Sequence, residues 1–170
     1  RILAIRHGQT AWNADSRIQG HTDIALDAVG SWQAERLAQA LGEQEIHAIY
    51  SSDLTRAYQT AAPLAARKGL SAQIDIGLRE RAFGEFEGLS FAQIEQRWPD
   101  QSARWRRRDP EFGARNGEVL RAFRERVVVA VTRLALTHRG QCIALVTHGG
   151  VLDLLYREAT RVALDAPRTW

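Results

Sequence analysis

The sequence predicts an α/β fold, a three-layer α/β/α sandwich around a mostly parallel sheet. Two observations support this prediction. Short apolar runs, such as Ile2–Ile5, Ile46–Tyr50 and Ile143–Thr147, have the composition of strands that are buried on both faces. Longer stretches with helical periodicity separate these runs, and strands that alternate with helices are typical of parallel sheets covered on both sides. The 170 residues are enough for one domain with its own core.

The first half of the chain keeps this alternation. A polar loop is expected from Arg6 to about Ala28, and then a helix from about Val29 to Leu41. Asp27 is the candidate N-cap of this helix and Gly42 its stop signal. The later elements predicted here are a strand at Ile46–Tyr50, a helix that Asp53 caps and that runs to Gly69, and a short strand near Ala72–Ile76.

The alternation breaks between Arg79 and Asn116, so that residues of about 81–117 are expected to form a lid-like excursion from the sheet. Within it, Ser90-Phe-Ala-Gln93 resembles a capping box and predicts a short helix that ends before Pro99. Trp105-Arg-Arg-Arg108 is interpreted as a solvated basic face, with binding of an anionic substrate as the alternative. The regular elements then resume, with a helix over Glu118–Thr137, the last strand, and a helix from about Val151 to Ala159.

Composition argues against several classes of protein. The net charge of +3 is small and both signs are interspersed, which does not favour a nucleic-acid partner. No apolar run approaches the roughly 20 residues that span a membrane, and no secretory segment is recognised, so a cytoplasmic location is expected. The single cysteine, Cys142, cannot form an intramolecular disulfide and is predicted to be a buried thiol.

A repeated phrase marks the candidate site. ILAIRHG ends at Gly8 and IALVTHG ends at Gly149, so a histidine follows each of two predicted strands. Because ligands bind beyond the carboxyl ends of parallel strands, His7 and His148 face a common ligand if the two strands are neighbours. Arg6 precedes the first histidine and suggests chemistry on an anion. A histidine whose other ring nitrogen is held by a backbone carbonyl would be a neutral nucleophile.

A second motif, Ser51-Ser-Asp-Leu-Thr-Arg-Ala57, lies at a strand-to-helix junction. Free backbone N–H groups at such a junction favour anions. Arg56 falls in the first helical turn and is expected to point back to the rim. A solvated arginine is the alternative, but with Arg6 nearby a two-arginine phosphate clamp is the preferred interpretation.

A third motif supplies carboxylates that could protonate a leaving oxygen. Glu80, Glu85 and Glu87 are the candidates, and physical reasoning alone does not choose among them. A metal at His148 is the alternative to phosphate, but neither histidine motif contains the carboxylates expected beside a metal. The remaining histidines, His21, His47 and His138, are interpreted as ordinary, although the loop of His21 adjoins the site.

Taken together, these motifs resemble the signature of the histidine phosphatase superfamily, which includes cofactor-dependent phosphoglycerate mutases and many small phosphatases. The resemblance spans nearly the whole chain, in the order of the family. It rests on Arg6-His7-Gly8-Gln9-Thr10, Trp12-Asn13, Gln19-Gly20, Ser51 to Ala57, Leu78-Arg79-Glu80, Phe83-Gly84, Glu87-Gly88 and Thr147-His148-Gly149-Gly150.

The resemblance implies a role for each matching residue. His7 would be phosphorylated during turnover and Glu80 would be the proton donor. Arg6, Arg56 and a cationic His148 would bind phosphate, with Asn13, Gln19, Gly20 and Gly149 completing the substrate pocket. No metal or other cofactor would be needed, 2,3-bisphosphoglycerate being required only by a mutase. The partner would be a small phosphorylated metabolite, and the resemblance leaves monomer and homodimer open.

Two departures from the family pattern accompany this resemblance. Gly117-Glu118 is followed by Val119 where the family often has serine, which removes a small polar contact near the site. The family sheet usually continues beyond the last helix, so a closing strand and tail are expected to be missing after Trp170. The expected function is hydrolysis of small phosphomonoesters. Phosphoglycerate mutase is the first alternative and a non-catalytic phosphate-binding module the second.

Overall fold

A computed structural model of the chain describes residues 1–167 and contains one parallel sheet. The strands are β1 (Ile2–Arg6), β2 (Ala48–Ser51), β3 (Ala72–Ile74) and β4 (Ile143–Thr147). Their spatial order is β1-β4-β2-β3, and each neighbouring pair is parallel. β4, the last strand in the sequence, therefore lies inside the sheet, between β1 and β2. The expected closing strand lies outside the described residues.

Helices connect these strands and cover the sheet. They are α1 (Ala11–Ala14), α2 (Ala28–Ala40), α3 (Thr55–Lys68), α4 (Phe91–Arg97), α5 (Pro99–Arg106), α6 (Leu120–Thr137) and α7 (Gly149–Thr160). Two 3₁₀ turns, Ile76–Leu78 and Gly84–Phe86, complete the regular structure. Within residues 1–167, no helix combines the length and the apolar character that crossing a membrane requires.

The alternation of side chains along β4 separates the two faces of the sheet. Ile143 and Leu145 belong to a core that includes residues of α6 and α7. Ala144 and Val146 belong to a second core formed with α2 and α3. Since successive side chains of a strand point to opposite faces, helices pack on both sides, and the predicted three-layer sandwich is confirmed.

The N-termini of α2 and α3 show when the local sequence is enough to predict an N-cap residue. Asp27 caps α2 as predicted, because its side chain accepts a hydrogen bond from the N–H of Gly30. The prediction that Asp53 caps α3 was wrong. Leu54 is the N-cap and makes no side-chain bond there, while Asp53 pairs with Arg79 at 2.5 Å. The long-range ion pair holds this carboxylate away from the helix end.

The excursion has a small core of its own. Phe86, Ile94, Phe112 and Ala114 are buried together, and Trp105 is among the half-buried side chains packed against them. Ser90 forms the predicted capping box with Gln93 at the start of α4. Two helices were missed by the sequence analysis: α1 lies within the expected loop after β1, and α5 ends at Arg106.

The interpretation of residues 105–108 as a solvated basic face holds for Arg106 and Arg107, which are exposed, and fails for Trp105 and Arg108. The Trp105 ring stacks on Phe91 with centroids 5.0 Å apart and an interplanar angle of 7°. The Arg108 side chain is only 14% exposed and pairs with the buried Asp153. Trp105, Arg106 and Arg108 line the cleft that also contains His7, whereas Arg107 does not.

Candidate active site

The two histidine motifs meet at one edge of the sheet. Arg6 and Thr147 are partners in the β1–β4 register, and the N–H of His7 donates to the carbonyl of Thr147 at 2.9 Å. The imidazole rings of His7 and His148 lie 5.2 Å apart between centroids. The two strands are neighbours, which is the condition on which the expected common rim depended, and both histidines therefore lie close together.

His7 is held as a neutral imidazole. Its Nδ1 lies 2.7 Å from the carbonyl oxygen of Gly8. Because a carbonyl can only accept, Nδ1 carries the proton and Nε2 keeps its lone pair. Burial lowers the pKa of His7 to about 3, and the positive charges of Arg56 and Arg6 act in the same direction, against the hydrogen bond to Gly8. The ring is therefore neutral at physiological pH, with Nε2 as the basic nitrogen.

The close approach of the backbone explains the glycine after His7. A Cβ on Gly8 would lie 2.6 Å from the carbonyl oxygen of Gly30 in α2. The N–H of Gly8 also donates to Thr60 Oγ1 at 2.9 Å. The residue that accepts from the His7 ring is thus fixed from both sides, by α2 and by α3.

His148 is completely buried. Its Nε2 lies 2.7 Å from Ser52 Oγ, while Nδ1 has no hydrogen-bond partner within the described chain. Burial, followed by the charge of Arg56, holds the pKa of His148 well below its usual value. The expectation of a cationic His148 is therefore corrected: the ring is neutral because burial and the positive charge of Arg56 both disfavour its charged form.

Arg56 lies in the first turn of α3, as predicted, and is 1% exposed. Its Nη1 donates to the carbonyl of Thr22 at 2.9 Å and its Nη2 to the carbonyl of Gly20 at 2.7 Å. Its Nε has no partner among residues 1–167. Burial lowers the pKa of Arg56, and the negative charge of Glu80 opposes this. Two of its five N–H donors fix the guanidinium, and the buried Nε–H is among those that remain for a ligand.

Glu80 is the glutamate of the three candidates that lines the cleft. Its Oε1 accepts from the N–H of Arg81 and its Oε2 from the N–H of Gly150, both at 2.9 Å. Glu85 lies near the N–H of Arg115 instead, and both oxygens of Glu87 bind loop residues. Glu80 therefore lines the same cleft as His7 and Arg56.

Other predicted residues line the same cleft, which has a volume of about 580 Å³. They are Arg6, Asn13, Gln19, Gly20 and Gly149. The side-chain oxygen of Asn13 accepts bonds from Thr10, so its amide nitrogen is the group left for a ligand. Gln19 is buried, and its oxygen accepts from the Thr10 hydroxyl.

His21, which the sequence analysis interpreted as ordinary although its loop adjoins the site, contacts the backbone of Glu80. Its Nε2 lies 2.8 Å from the carbonyl oxygen of Glu80, and Arg126 Nη2 donates to the same oxygen at 3.1 Å. The backbone of Glu80 is therefore anchored from the loop before α2 and from α6. The position of His21 behind Gln19-Gly20 was the available signal, whereas Arg126 lies in a long amphipathic helix and offered none.

No group of three or more histidine, cysteine, aspartate or glutamate residues is arranged to hold a metal within residues 1–167. The residues that surround His7 are instead hydrogen-bond donors, mainly guanidinium groups. Such donors suit the oxygens of a phosphoryl group.

The comparison with protein families gives one match over nearly the whole chain. The model of the histidine phosphatase superfamily (branch 1) matches residues 2–170. Among curated proteins, phosphoglycerate mutase-like protein 4 of Arabidopsis thaliana is 40% identical over 162 residues, which cover 93% of this chain and 70% of that protein.

Two further similar proteins have names that describe an activity. The metal-independent phosphoserine phosphatase of Arabidopsis thaliana is 35% identical, and the match covers 95% of this chain and 69% of that protein. The solved structure of mycobacterial glucosyl-3-phosphoglycerate phosphatase in complex with VO3 superposes with a TM-score of 0.87 at 34% identity. That match covers 96% of this chain and 83% of the other.

Proposed function

This chain belongs to the histidine phosphatase superfamily (branch 1), and we propose that it hydrolyses small phosphomonoesters through a phosphohistidine on His7. It is a phosphoric monoester hydrolase of the histidine phosphatase type, as its similar proteins named phosphatases are. The observation that carries the proposal is the juxtaposition at one cleft of a neutral His7, the buried guanidinium of Arg56 and the carboxyl of Glu80.

Binding of the phosphoryl group is the first step of the proposed mechanism. Arg6 and the free Nε of Arg56 donate to its oxygens. If the Ser52 hydroxyl donates to His148 Nε2, then Nδ1 carries a proton and donates to a further oxygen. An unpartnered buried donor is costly, so two of them beside one nucleophile, Arg56 Nε and His148 Nδ1, support an anion site. Donors that are already fixed in place stabilise the charge of the transferring group without reorganisation.

Transfer starts from the neutral imidazole of His7 and requires that Glu80 take up a proton when the substrate binds. His7 Nε2 attacks phosphorus in line, the bond from phosphorus to the ester oxygen breaks, and Glu80 gives its proton to the departing alkoxide. Water then attacks phosphohistidine while ionised Glu80 takes the proton of that water, which releases phosphate and restores both side chains. We propose that no metal or other cofactor takes part, and that the substrate is a small phosphorylated metabolite.

The test is to trap the intermediate. The enzyme is mixed with a ³²P-labelled phosphomonoester and quenched in alkali, in which phosphohistidine survives, and the labelled peptide is identified. Label on residue 7, and loss of both label and turnover in His7→Ala, are expected. His47→Ala is the matched control, since His47 lies in another part of the fold, near Cys142. Full turnover by His7→Ala, or label on a different side chain, would overturn the proposal.

A further inference from the structure

The outer part of the active-site cleft is lined by aromatic side chains. Trp12, Phe83, Phe91 and Trp105 line the same cleft as the proposed phosphate-binding residues; we call these four side chains the aromatic wall, and the part of the cleft that they line its outer part. Phe91 is stacked on Trp105 at a 7° angle and is 56% exposed. An exposed phenyl ring that already belongs to a parallel stack provides a flat apolar surface for another ring.

The arginines at this end of the cleft are already paired with carboxylates. Arg108 pairs with Asp153 at 2.5 Å and also donates to the carbonyl of Leu164. Arg106 pairs with Glu95, likewise at 2.5 Å. An arginine binds a substrate carboxylate strongly when its fork of donors is free. The charge of these two arginines is instead compensated within the protein.

Arg17 is the third arginine at the outer end. It lies 3.5 Å from Asp15 and donates to the carbonyl of Gly88. The outer cleft therefore combines an apolar aromatic surface with guanidinium groups that have internal partners. This chemistry suits an uncharged ring better than a second anionic group.

We propose that the aromatic wall is a subsite for the leaving group, and that the preferred substrates are phosphomonoesters whose alcohol carries a flat apolar ring. The proposal rests on the proposed function and deepens it. A small acidic alcohol would leave the aromatic wall uncovered and would bring a carboxylate to arginines that are already paired. Stacking of a ring against Phe91 would remove apolar surface of both partners from water.

The test compares three phosphate esters of primary alcohols, so that departure of the alcohol is chemically similar. They are 2-phenylethyl phosphate, ethyl phosphate and O-phosphoserine. We expect kcat/KM for the phenylethyl ester to exceed that for the ethyl ester by roughly tenfold or more, and phosphoserine to show no advantage over ethyl phosphate. Equal values for the phenylethyl and ethyl esters, or a preference for phosphoserine, would overturn the proposal.

The variant Phe91→Ala tests whether the preference for the phenylethyl ester depends on the aromatic wall. Phe91 is the first residue of α4 and is largely exposed, and alanine favours a helix, so the fold should persist. The ratio of the two kcat/KM values should fall towards one. Trp32→Ala is the matched control: this aromatic side chain is 61% exposed on α2, away from the cleft, and its loss should leave the ratio unchanged.

The outcomes separate this proposal from the proposed function. A ratio that persists in Phe91→Ala contradicts the subsite while hydrolysis itself continues. Absence of turnover with all three esters and with p-nitrophenyl phosphate contradicts both the phosphatase mechanism and the subsite that depends on it.

Discussion

The backbone of Gly20 lies directly against the carboxylate of Glu87. A Cβ at Gly20, whose φ is +55°, would lie 2.1 Å from Glu87 Oε1. That oxygen accepts from the N–H groups of His21 and Phe83 at 3.0 and 2.9 Å. The other oxygen accepts from the N–H and hydroxyl of Thr22. Glu87 thus connects two segments. One is the loop whose backbone carbonyls accept from Arg56, and the other is the segment that carries Glu80 and Phe83.

This relationship predicts a specific kinetic defect in Glu87→Gln. The side-chain NH₂ of the glutamine would replace one carboxylate oxygen and would face N–H or O–H groups that are themselves donors. Part of the four hydrogen bonds that Glu87 accepts would therefore be lost. We expect kcat to fall by about tenfold, in line with about 1–2 kcal/mol for such a loss. The fall should be larger for alkyl phosphates than for p-nitrophenyl phosphate, because a displaced Glu80 matters most when the leaving group needs a proton.

Glu85→Gln is the matched control: this nearby glutamate side chain makes, within residues 1–167, only a long contact of 3.4 Å to the N–H of Arg115. Steady-state rates with the two kinds of ester, together with urea unfolding, provide the measurement. An equal loss on both esters, accompanied by lower stability, would show that Glu87 stabilises the fold without positioning Glu80.

Glu80→Gln should separate the two halves of the reaction. With an alkyl phosphate we expect turnover to fall by roughly 10²–10⁴-fold, since the departing alkoxide receives no proton. With p-nitrophenyl phosphate the leaving group departs unaided, but Glu80 is still missing as the base that activates water. Stopped-flow measurement should show a burst of about one nitrophenolate per site and then a slow phase.

The glutamine should preserve the geometry of this site, because its oxygen can accept from Gly150 or Arg81, the two N–H groups bonded to Glu80. Wild-type rates on the alkyl ester would exclude Glu80 as the proton donor.

Stability should depend on pH through the buried histidines. The pKa of His7 is about 3 in the folded chain, below the 6.5 of an unperturbed histidine. Between these values the unfolded chain binds a proton that folded His7 does not, so the free energy of unfolding falls as pH is lowered below 6.5. The slope for one such histidine is about 1 kcal/mol per pH unit.

His148 contributes in the same direction, since its pKa is also lowered. The measurement is urea unfolding at pH 7, 6 and 5. As the pH is lowered, the free energy of unfolding should fall less steeply for His7→Gln than for the wild type, because the variant lacks the contribution of His7. Parallel slopes for the two proteins would contradict the neutral state assigned to His7.

Particular residues show how far the sequence alone could lead. The repeated apolar-His-Gly phrase predicted two buried strands with a histidine at the carboxyl end of each, because these are local properties, whereas the pairing of the two strands was only a condition of the expected common rim. Placing Arg56 in the first turn of a helix was equally local, and it is confirmed. The choice of Glu80 over Glu85 and Glu87 came from family resemblance, because the bond of Gly150 to Glu80 joins positions 70 residues apart.

The failures have the same physical origin. Asp53 carries a good N-cap side chain, but its pairing with Arg79 across 26 residues prevails. The positive charge expected of His148 ignored burial, which cannot be derived from the local sequence. Trp105 was grouped with the three arginines that follow it as a solvated face, whereas its ring stacks on Phe91 of another helix. Contacts between distant segments decide each of these cases.

Metal independence is the next prediction. The donors around His7 are guanidinium and imidazole groups, which supply the charge stabilisation that metal ions provide in other phosphatases. Prolonged dialysis against EDTA should leave kcat/KM unchanged, and vanadate should inhibit by occupying the phosphoryl site. Activity that disappears with the chelator and returns with a single divalent ion would require a different account of the site.

Hydrolysis should prevail over isomerisation of phosphoglycerate. A mutase must shield its phosphohistidine from water and hold an acidic product while it reorients, which needs free cationic groups beyond the phosphate pocket. Here Arg106 and Arg108 are paired with Glu95 and Asp153, and the aromatic wall occupies the outer cleft. We therefore expect phosphate release from 3-phosphoglycerate to be faster than formation of its 2-isomer.

The assay follows both products from 3-phosphoglycerate, by phosphate detection and by enolase coupling, with and without 2,3-bisphosphoglycerate. Added bisphosphoglycerate should act only as a competitor for Arg56 and His7, not as an activator, because the enzyme-bound phosphoryl group passes to water. A 2-isomer that forms much faster than phosphate, with a rate that rises on addition of bisphosphoglycerate, would make the chain a mutase and would require the outer arginines to exchange their carboxylate partners during turnover.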